Sequence, residues 1–312
     1  MEVIVTMNKI IRYWNQNRKK IIIIIAIIAF IIIMLNVINY IVKQMNDRPK
    51  DEEFNIEDLQ KPTQSVITGQ NVSKDITEEN IDIIKNFVDY CNNNEIEKAY
   101  ELLSNDCKAE FNNNINTFIN NYYKRNFQTK KTYDLELMFS AENSYTYKTT
   151  YYDANILATG GPNADNFEDY LTIINQNEEK KLNINGFIKK QEINQSQTTD
   201  GVQITIKNKK VYRDHEQYKI SIQNNTQNTI SISDGQNSGD ICLLDKNNVK
   251  YASFLHEIPL ESLIIEPMRT TELDITFNRI YDTYRIMKKM QFSNICLNQE
   301  NSAKTTITIK IQ

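Results

Sequence analysis

Glycine and proline are scarce in this chain, at 7 and 5 among 312 residues, and histidine is scarcer still, at 2. Few glycines leave little room for a phosphate cradle. No GxGxxG or P-loop occurs, and Gly160-Gly161-Pro162 is too short to wrap a phosphate and reads as a turn. Both histidines, His215 and His256, lie beyond residue 200, so the stretch 77–195 lacks the commonest general acid and base. GxSxG and HExxH are also missing. No excess of one charge exists either: the net charge is −4, which argues against nucleic acid as a partner.

What is present begins with an apolar run, Ile21 to Val42, interrupted only by Asn36 and Asn39. It has about the 20 residues that an α-helix needs to cross a bilayer. A signal-peptide core is shorter and ends in small residues, whereas Asn36-Val37-Ile38-Asn39-Tyr40 offers no such cleavage site. The run therefore predicts a transmembrane helix over 21–43 in contact with the lipid bilayer. Lys9, Arg12, Arg18, Lys19 and Lys20 precede it, which places a short tail, 1–20, in the cytoplasm and the rest of the chain outside. The expected location is thus the cell membrane, single-pass, with extracellular domains.

The outer part reads as globular, since the chain is 40% hydrophobic and 24% charged. Heavy use of Asn, Ile, Lys and Tyr points to AT-rich coding in a low-GC bacterium, and asparagine runs such as Asn92 to Asn94 and Asn112 to Asn114 read as drift. Residues 44–76 are polar, contain Pro49 and Pro62, and predict a flexible tether with a reach of roughly 30 Å.

From Thr77, a predicted N-cap, the period becomes helical, with Ile81, Ile84, Phe87, Val88 and Cys91 on one face. A second helix is predicted from about Glu95 and a third from about Asp106 to Tyr123. Beyond Lys124, YDLELMF, SYTYKTTYYDANILAT, FEDYLTIINQ and KLNINGFIKKQEI read as strands. Residues 77–195 thus predict an α+β cone, three helices on a curved antiparallel sheet. Residues 200–312 hold successive β-rich runs separated by turns, including GVQITIKN, EQYKISIQNN, TELDITF and KTTITIKI, and predict an all-β immunoglobulin-like sandwich. The whole is a multidomain chain.

Two resemblances attach to these residues. Phe87-x-x-Tyr90, Ala99-Tyr100-x-Leu102-Leu103 and EDYLTIINQNEEKKLNINGFI resemble the nuclear transport factor 2-like fold over about residues 77–192. Its matching positions are packing residues, so it implies a fold and carries no functional residue. EQYKISIQNNTQNTI, LIIEPMRTTELDITF and ITIKI resemble the telokin-like, immunoglobulin-type domain of bacterial surface proteins. That likeness implies Pro267 as the turn before a strand and Phe277 as a core position; the Cys-Trp-Cys pin is missing, since Trp14 is the single tryptophan. In layout the chain also resembles the scaffold subunit of conjugative or type IV secretion machines.

The chemistry in the sequence is sparse. Asp134, Glu136, Asp153, Glu168 and Asp169 are the candidate acids, with Asp134 and Glu136 on one face of a strand. Tyr145, Tyr147 and Tyr151 form a stripe that lines either a cavity or the packing surface of the helices. Asp234 to Asp240 lacks the spacing of a calcium loop, and Asp214-His215-Glu216 reads as a turn. Cys91 with Cys107, and Cys242 with Cys296, are each either a disulfide or two core thiols. No catalytic, cofactor-binding or metal residue is expected, no cofactor is implied, and the oligomeric state is open. The favoured expectation is a non-enzymatic interaction or assembly protein of the cell envelope, with protein partners there. The alternative is a sensor or carrier that binds a small molecule or wall fragment in the cone.

Overall fold

The structure is a computed structural model that describes residues 62–141, 144–154, 166–233, 235, 237–279, 286–298 and 303–311, with Asn17 and Met34. The chain divides into two compact units, Met1–Leu59 and Gln60–Gln312, and the sheets and the helices that pack on them belong to the second.

Helix α1, Lys74–Asn92, begins at Ser73, whose side chain accepts from the Ile76 N–H at 3.4 Å. Asp75 sits in the first turn, where the helix dipole favours a negative charge. The predicted cap, Thr77, is instead buried in the first turn and donates to the Ser73 carbonyl at 3.0 Å. Ile84, Phe87, Val88 and Cys91 bury one face, as their spacing predicts. Short helices follow: α2, Ile96–Glu101; α3, Asn105–Glu110; α4, Ile115–Phe118; a π-helical turn, Ile119–Tyr123; and α5, Lys124–Asn126. They pack on an antiparallel sheet in the order β1 Lys131–Ala141, β2 Ser144–Asp153, β3 Phe167–Gln176 and β4 Glu179–Asn183. Ahead of α1, Val66 and Ile67 donate to the Leu137 and Met138 carbonyls at 2.9 and 3.0 Å, lying along the edge of β1.

The remaining strands form two sheets. One runs β12 Thr270–Asn278, β7 His215–Asn224, β6 Val202–Tyr212 and β5 Phe187–Thr199. The other runs β10 Lys250–Ala252, β9 Ile241–Asp245, β13 Met287–Cys296, β8 Ile230–Ser231 and β11 Ile264–Ile265, with β14 Lys304–Lys310 paired to β13. Alternating residues of the first sheet, among them Ile204, Tyr218, Ile220, Ile275 and Phe277, join Ile241, Leu243, Phe292 and Ile307 of the second in one buried core. Side chains that alternate toward a shared interior are what holds two packed sheets together. Pro267 stands in the turn before β12.

Three expectations need correction. The transmembrane helix over 21–43 falls, apart from Met34, outside the described residues; among the described residues no helix is long and apolar enough to cross a membrane. The longest of them, α1, is amphipathic, with exposed Lys74, Asp75, Glu78 and Glu79 on its outer side. The fold class is therefore a mostly β chain with few helices and, among the described residues, no membrane-spanning one, in place of a three-helix cone behind a membrane anchor; the two packed sheets of the C-terminal part stand as expected. The single helix predicted from Asp106 to Tyr123 is broken, because Asn112 and Asn113 take left-handed φ values of 56° and 52°. Asparagine tolerates that conformation, so a run read as drift ends α3.

The β5–β6 hairpin turns at Asp200 and Gly201, with φ of 50° and 81°. Two consecutive positive values are what a tight hairpin turn asks for. A Cβ on Gly201 would stand 2.8 Å from Thr226 Cγ2. Gly201→Ala is expected to lower unfolding free energy by about 1–2 kcal/mol in a urea titration, and an unshifted midpoint would contradict the strain.

Candidate functional site

The space between the helices and the first sheet, where a ligand cavity of the cone would lie, is occupied by the chain's own rings. Phe87, Phe118, Tyr122, Phe127, Tyr147 and Tyr151 are all buried. Phe118 stacks on Tyr122 with centroids 5.8 Å apart, Phe127 meets Tyr151 edge-on at 5.7 Å, and Tyr151 stacks on Phe167 at 4.4 Å. Such contacts add to the large area each ring removes from water. The tyrosine stripe is thus a packing surface at Tyr147 and Tyr151, with Tyr145 half-buried beside them.

One of the candidate acids lies in this layer. Asp169 on β3 is buried and accepts four hydrogen bonds: from the Tyr122 hydroxyl at 2.7 Å and from the N–H groups of Tyr170, Asn185 and Gly186 at 2.6, 3.0 and 3.0 Å. Burial pushes its carboxyl above the usual range, while those donors pull it down. The Tyr122 and Tyr151 hydroxyls are raised well above their ordinary range, first by burial and then by the Asp169 charge. On the neighbouring strand, the buried hydroxyls of Thr149 and Tyr151 have no hydrogen-bond partner of good geometry among the described residues. Nearby, Asn80 donates to the Tyr147 hydroxyl at 3.1 Å and accepts from Lys180 at 3.0 Å.

The turn held by Asp169 is also a joint. Gly186 accepts from the Arg213 N–H at 2.8 Å, and the Arg213 guanidinium lies 4.1 Å from the Tyr170 ring centre. Phe187 belongs to the core of the helix–sheet half and packs on Tyr212 of β6 at 5.5 Å. Tyr212 donates to Glu110 of α3, and Lys210 pairs with the same carboxylate at 2.8 Å. The helix–sheet half and the sandwich are thereby fastened at several points.

The other candidate acids are dispersed. Asp134, Glu136 and Glu168 are exposed, and Glu168 pairs with Lys148 at 2.6 Å. Asp153 lines a cleft of about 460 Å³ with Arg125, Asn126, Gln128, Thr129, Lys131, Asn166 and Phe167. No pair of these carboxylates is gathered for acid–base work among the described residues. His215 stacks on Tyr212 at 4.3 Å with Asp214 at 2.8 Å, and His256 lies in a short 3₁₀ turn. Gly160 to Pro162 and Asp234 lie outside the described residues. Asp240 is buried, accepting from Ser233 at 2.9 Å and Asn294 at 2.8 Å, so it serves the fold. Among the described residues no group of three or more His, Cys, Asp or Glu is placed to hold a metal.

All four cysteines are free thiols. Burial pushes Cys107 up to about 12 and raises Cys91 and Cys242 as well. Cys296 is half-buried in a second cleft, with Ser231, Asp240, Asn294 and Lys304. Only Cys296 is expected to react with a maleimide in the native protein, whereas all four should react in denaturant without reductant. A thiol count below four in denaturant, read by mass, would reveal a disulfide instead.

Part of the sandwich has a recognisable relative. Residues 191–278 match the CS domain. This family is an immunoglobulin-like β-sandwich, and the match runs from within β5 to the end of β12, less than half of the chain. Two solved structures are similar over part of the chain. A conserved hypothetical protein from Bacillus anthracis is 11% identical, with 40% of this chain and 96% of that chain covered at a TM-score of 0.27. A functionally unknown protein from Listeria monocytogenes EGD-e is 12% identical, with 39% and 85% covered at a TM-score of 0.29. Likeness this low supports no functional reading. No curated protein matches.

The buried carboxylate was visible in the sequence only as one acid of five. Alternation fails on β3 because Asp169 to Ile173 are buried on both faces, so neighbouring positions give no in-and-out signal.

Proposed function

We propose that this chain is a non-enzymatic interaction and assembly protein of the bacterial cell envelope, of the kind that serves as a scaffold in a conjugation or secretion-type complex. The observation that carries this reading is the packed interior: the rings of Phe87, Phe118, Tyr122 and Tyr151 fill the space in which a ligand-binding or catalytic cavity would lie. The surfaces and strand edges are then what the molecule has to offer a partner. The finer likenesses, to nuclear transport factor 2 over 77–192 and to telokin over 200–312, belong to the same reading. Cross-linking in intact cells followed by mass spectrometry tests it. Recovery of a defined set of envelope proteins is expected, and recovery of bulk abundant neighbours alone would count against it.

The polar cleft around Arg125, Lys131, Asp153 and Phe167 favours a second reading, a carrier or sensor for a small polar ligand such as a wall fragment. Amide, charged and aromatic groups together suit a sugar or a short peptide. Chemical-shift changes confined to these residues on adding soluble wall fragments would support it, and unchanged spectra would remove it.

A further inference from the structure

We infer that the free edge of β12 is a docking site for an extended segment of a partner protein in which basic and apolar residues alternate. This deepens the interaction reading above and rests on it.

The geometry of β12 sets the argument. It pairs with β7 over nine consecutive residues without a register shift. Arg269 accepts from the Asn224 N–H at 2.9 Å on the β7 side, and Thr276 accepts from the Phe254 N–H at 2.9 Å on the opposite side. Backbone groups alternate along a strand, so the odd positions from 269 to 277 bond to β7 and the even positions face away. The N–H and C=O groups of Thr270, Glu272 and Asp274 are thus turned outward, and among the described residues no strand covers them.

The other long edges are managed. Leu102 and Ser104 bond to Leu182 on β4, and Val66 and Ile67 bond to β1. Strand β5 is broken by register shifts at Phe187/Lys189 and Glu192/Gln195, with Asn194 at φ 51°. Strand β14 lies against β5 and carries lysines at both ends, while β10 and β11 are only three and two residues long. Bulges, lysines and short length are the usual ways to blunt an edge, and β12 has none of them; Ser253 and Phe254 bridge only its far end, at Thr276 and Phe277, and leave 270–274 open among the described residues.

The side chains of β12 select the occupant. On its outer face Glu272 and Asp274 are exposed; Glu272 is matched by Lys207 and Lys219, whereas Asp274 has no ion-pair partner among the described residues. On its inner face Leu273 and Ile275 are buried. A second copy of β12 added antiparallel would set Glu272 opposite Glu272, or Glu272 opposite Asp274. Like charges directly opposed destabilise a strand pair, so self-pairing is disfavoured. An incoming strand with Lys or Arg opposite the two acids, and apolar side chains beside Leu273 and Ile275, satisfies both faces and the backbone, as strand addition requires.

The probe is a nine-residue peptide of alternating Lys and Val, with a Glu and Val peptide as control, read by amide hydrogen exchange and fluorescence anisotropy. The Lys peptide is expected to protect the amides of Glu272 and Asp274 by roughly tenfold or more, the scale of one or two backbone hydrogen bonds. Asp274→Pro removes an N–H that does not bond to β7, and is expected to weaken binding by at least roughly tenfold. The double change Glu272→Lys and Asp274→Lys keeps every backbone group, is expected to reverse the preference toward the Glu peptide, and stands as the test if the proline variant fails to fold. Protection elsewhere with none on 270–276, or an unchanged preference in the double variant, overturns the inference. Defined partners recovered by cross-linking together with an unprotected β12 would leave the interaction reading standing and remove this edge from it.

Discussion

Asp169→Ala is expected to lower the unfolding free energy by about 3–5 kcal/mol, one of the largest effects of any single change in this chain. The alanine leaves the buried Tyr122 hydroxyl and the part-buried Asn185 and Gly186 N–H groups without their shared acceptor. Each orphaned buried donor costs about 1–3 kcal/mol, partly recovered where water enters. A loss under about 1 kcal/mol in a urea titration would mean that the carboxylate is dispensable.

The same residue gives stability a pH dependence. Its carboxyl is raised in the folded state, so between the unfolded value and the folded one the native protein holds a proton that the unfolded chain has released. Unfolding there releases a proton. The contribution of Asp169 is therefore fully present below the unfolded carboxylate range, at about pH 4, and is lost as pH rises through the folded value. Asp169→Asn cannot titrate and should lack this slope; an identical slope in both proteins would assign it to other groups.

Phe277→Ala is expected to cost about 3–5 kcal/mol, the range for emptying a buried ring site. Phe277 is 1% exposed and meets Tyr218 edge-on with centroids 5.6 Å apart. Its reach is the more informative part. Cys107 lies in the helix–sheet half and Cys242 in the sandwich, both buried, so thiol labelling against denaturant follows each half separately. The contacts of Glu110, Phe187 and Tyr212 join the two halves, so the two labelling midpoints are expected to shift together. A shift at Cys242 alone would show that the joint transmits no stability.

Much of the local structure was legible because one physical signal dominated it. Ile84, Phe87, Val88 and Cys91 recur at helical spacing and bury one face of α1. Asp134 and Glu136 alternate with their neighbours on β1 and are exposed, as an outer face predicts. In FEDYLTIINQNEEKKLN the turn falls at Asn177 and Glu178, both left-handed at φ 52° and 67°.

Other features were hidden for equally physical reasons. The start of α1 was misplaced because Ser73 and Thr77 are both competent caps, and backbone geometry alone chooses between them. Asn112 and Asn113 break a helix that hydropathy would carry through, since the pattern of apolar residues is silent about φ. The β12 edge is a property of sheet order, which depends on contacts far apart in sequence. TELDITF reads the same whether it is central or at the rim. Apolar length, by contrast, speaks only for its own segment and sets no fold class for the rest.

Strand β5 carries one more consequence. Phe187 at its beginning is part of the helix–sheet core, while Ile193 farther along packs against the sandwich core. No cut in the gene between the halves divides the molecule cleanly. Ending an upstream fragment before β5 removes Phe187 from its core, and starting a downstream fragment after β5 strips β6 of one of its two neighbours. A recombination event that moved the sandwich to another protein would have to carry a strand whose first residues belong to the core left behind.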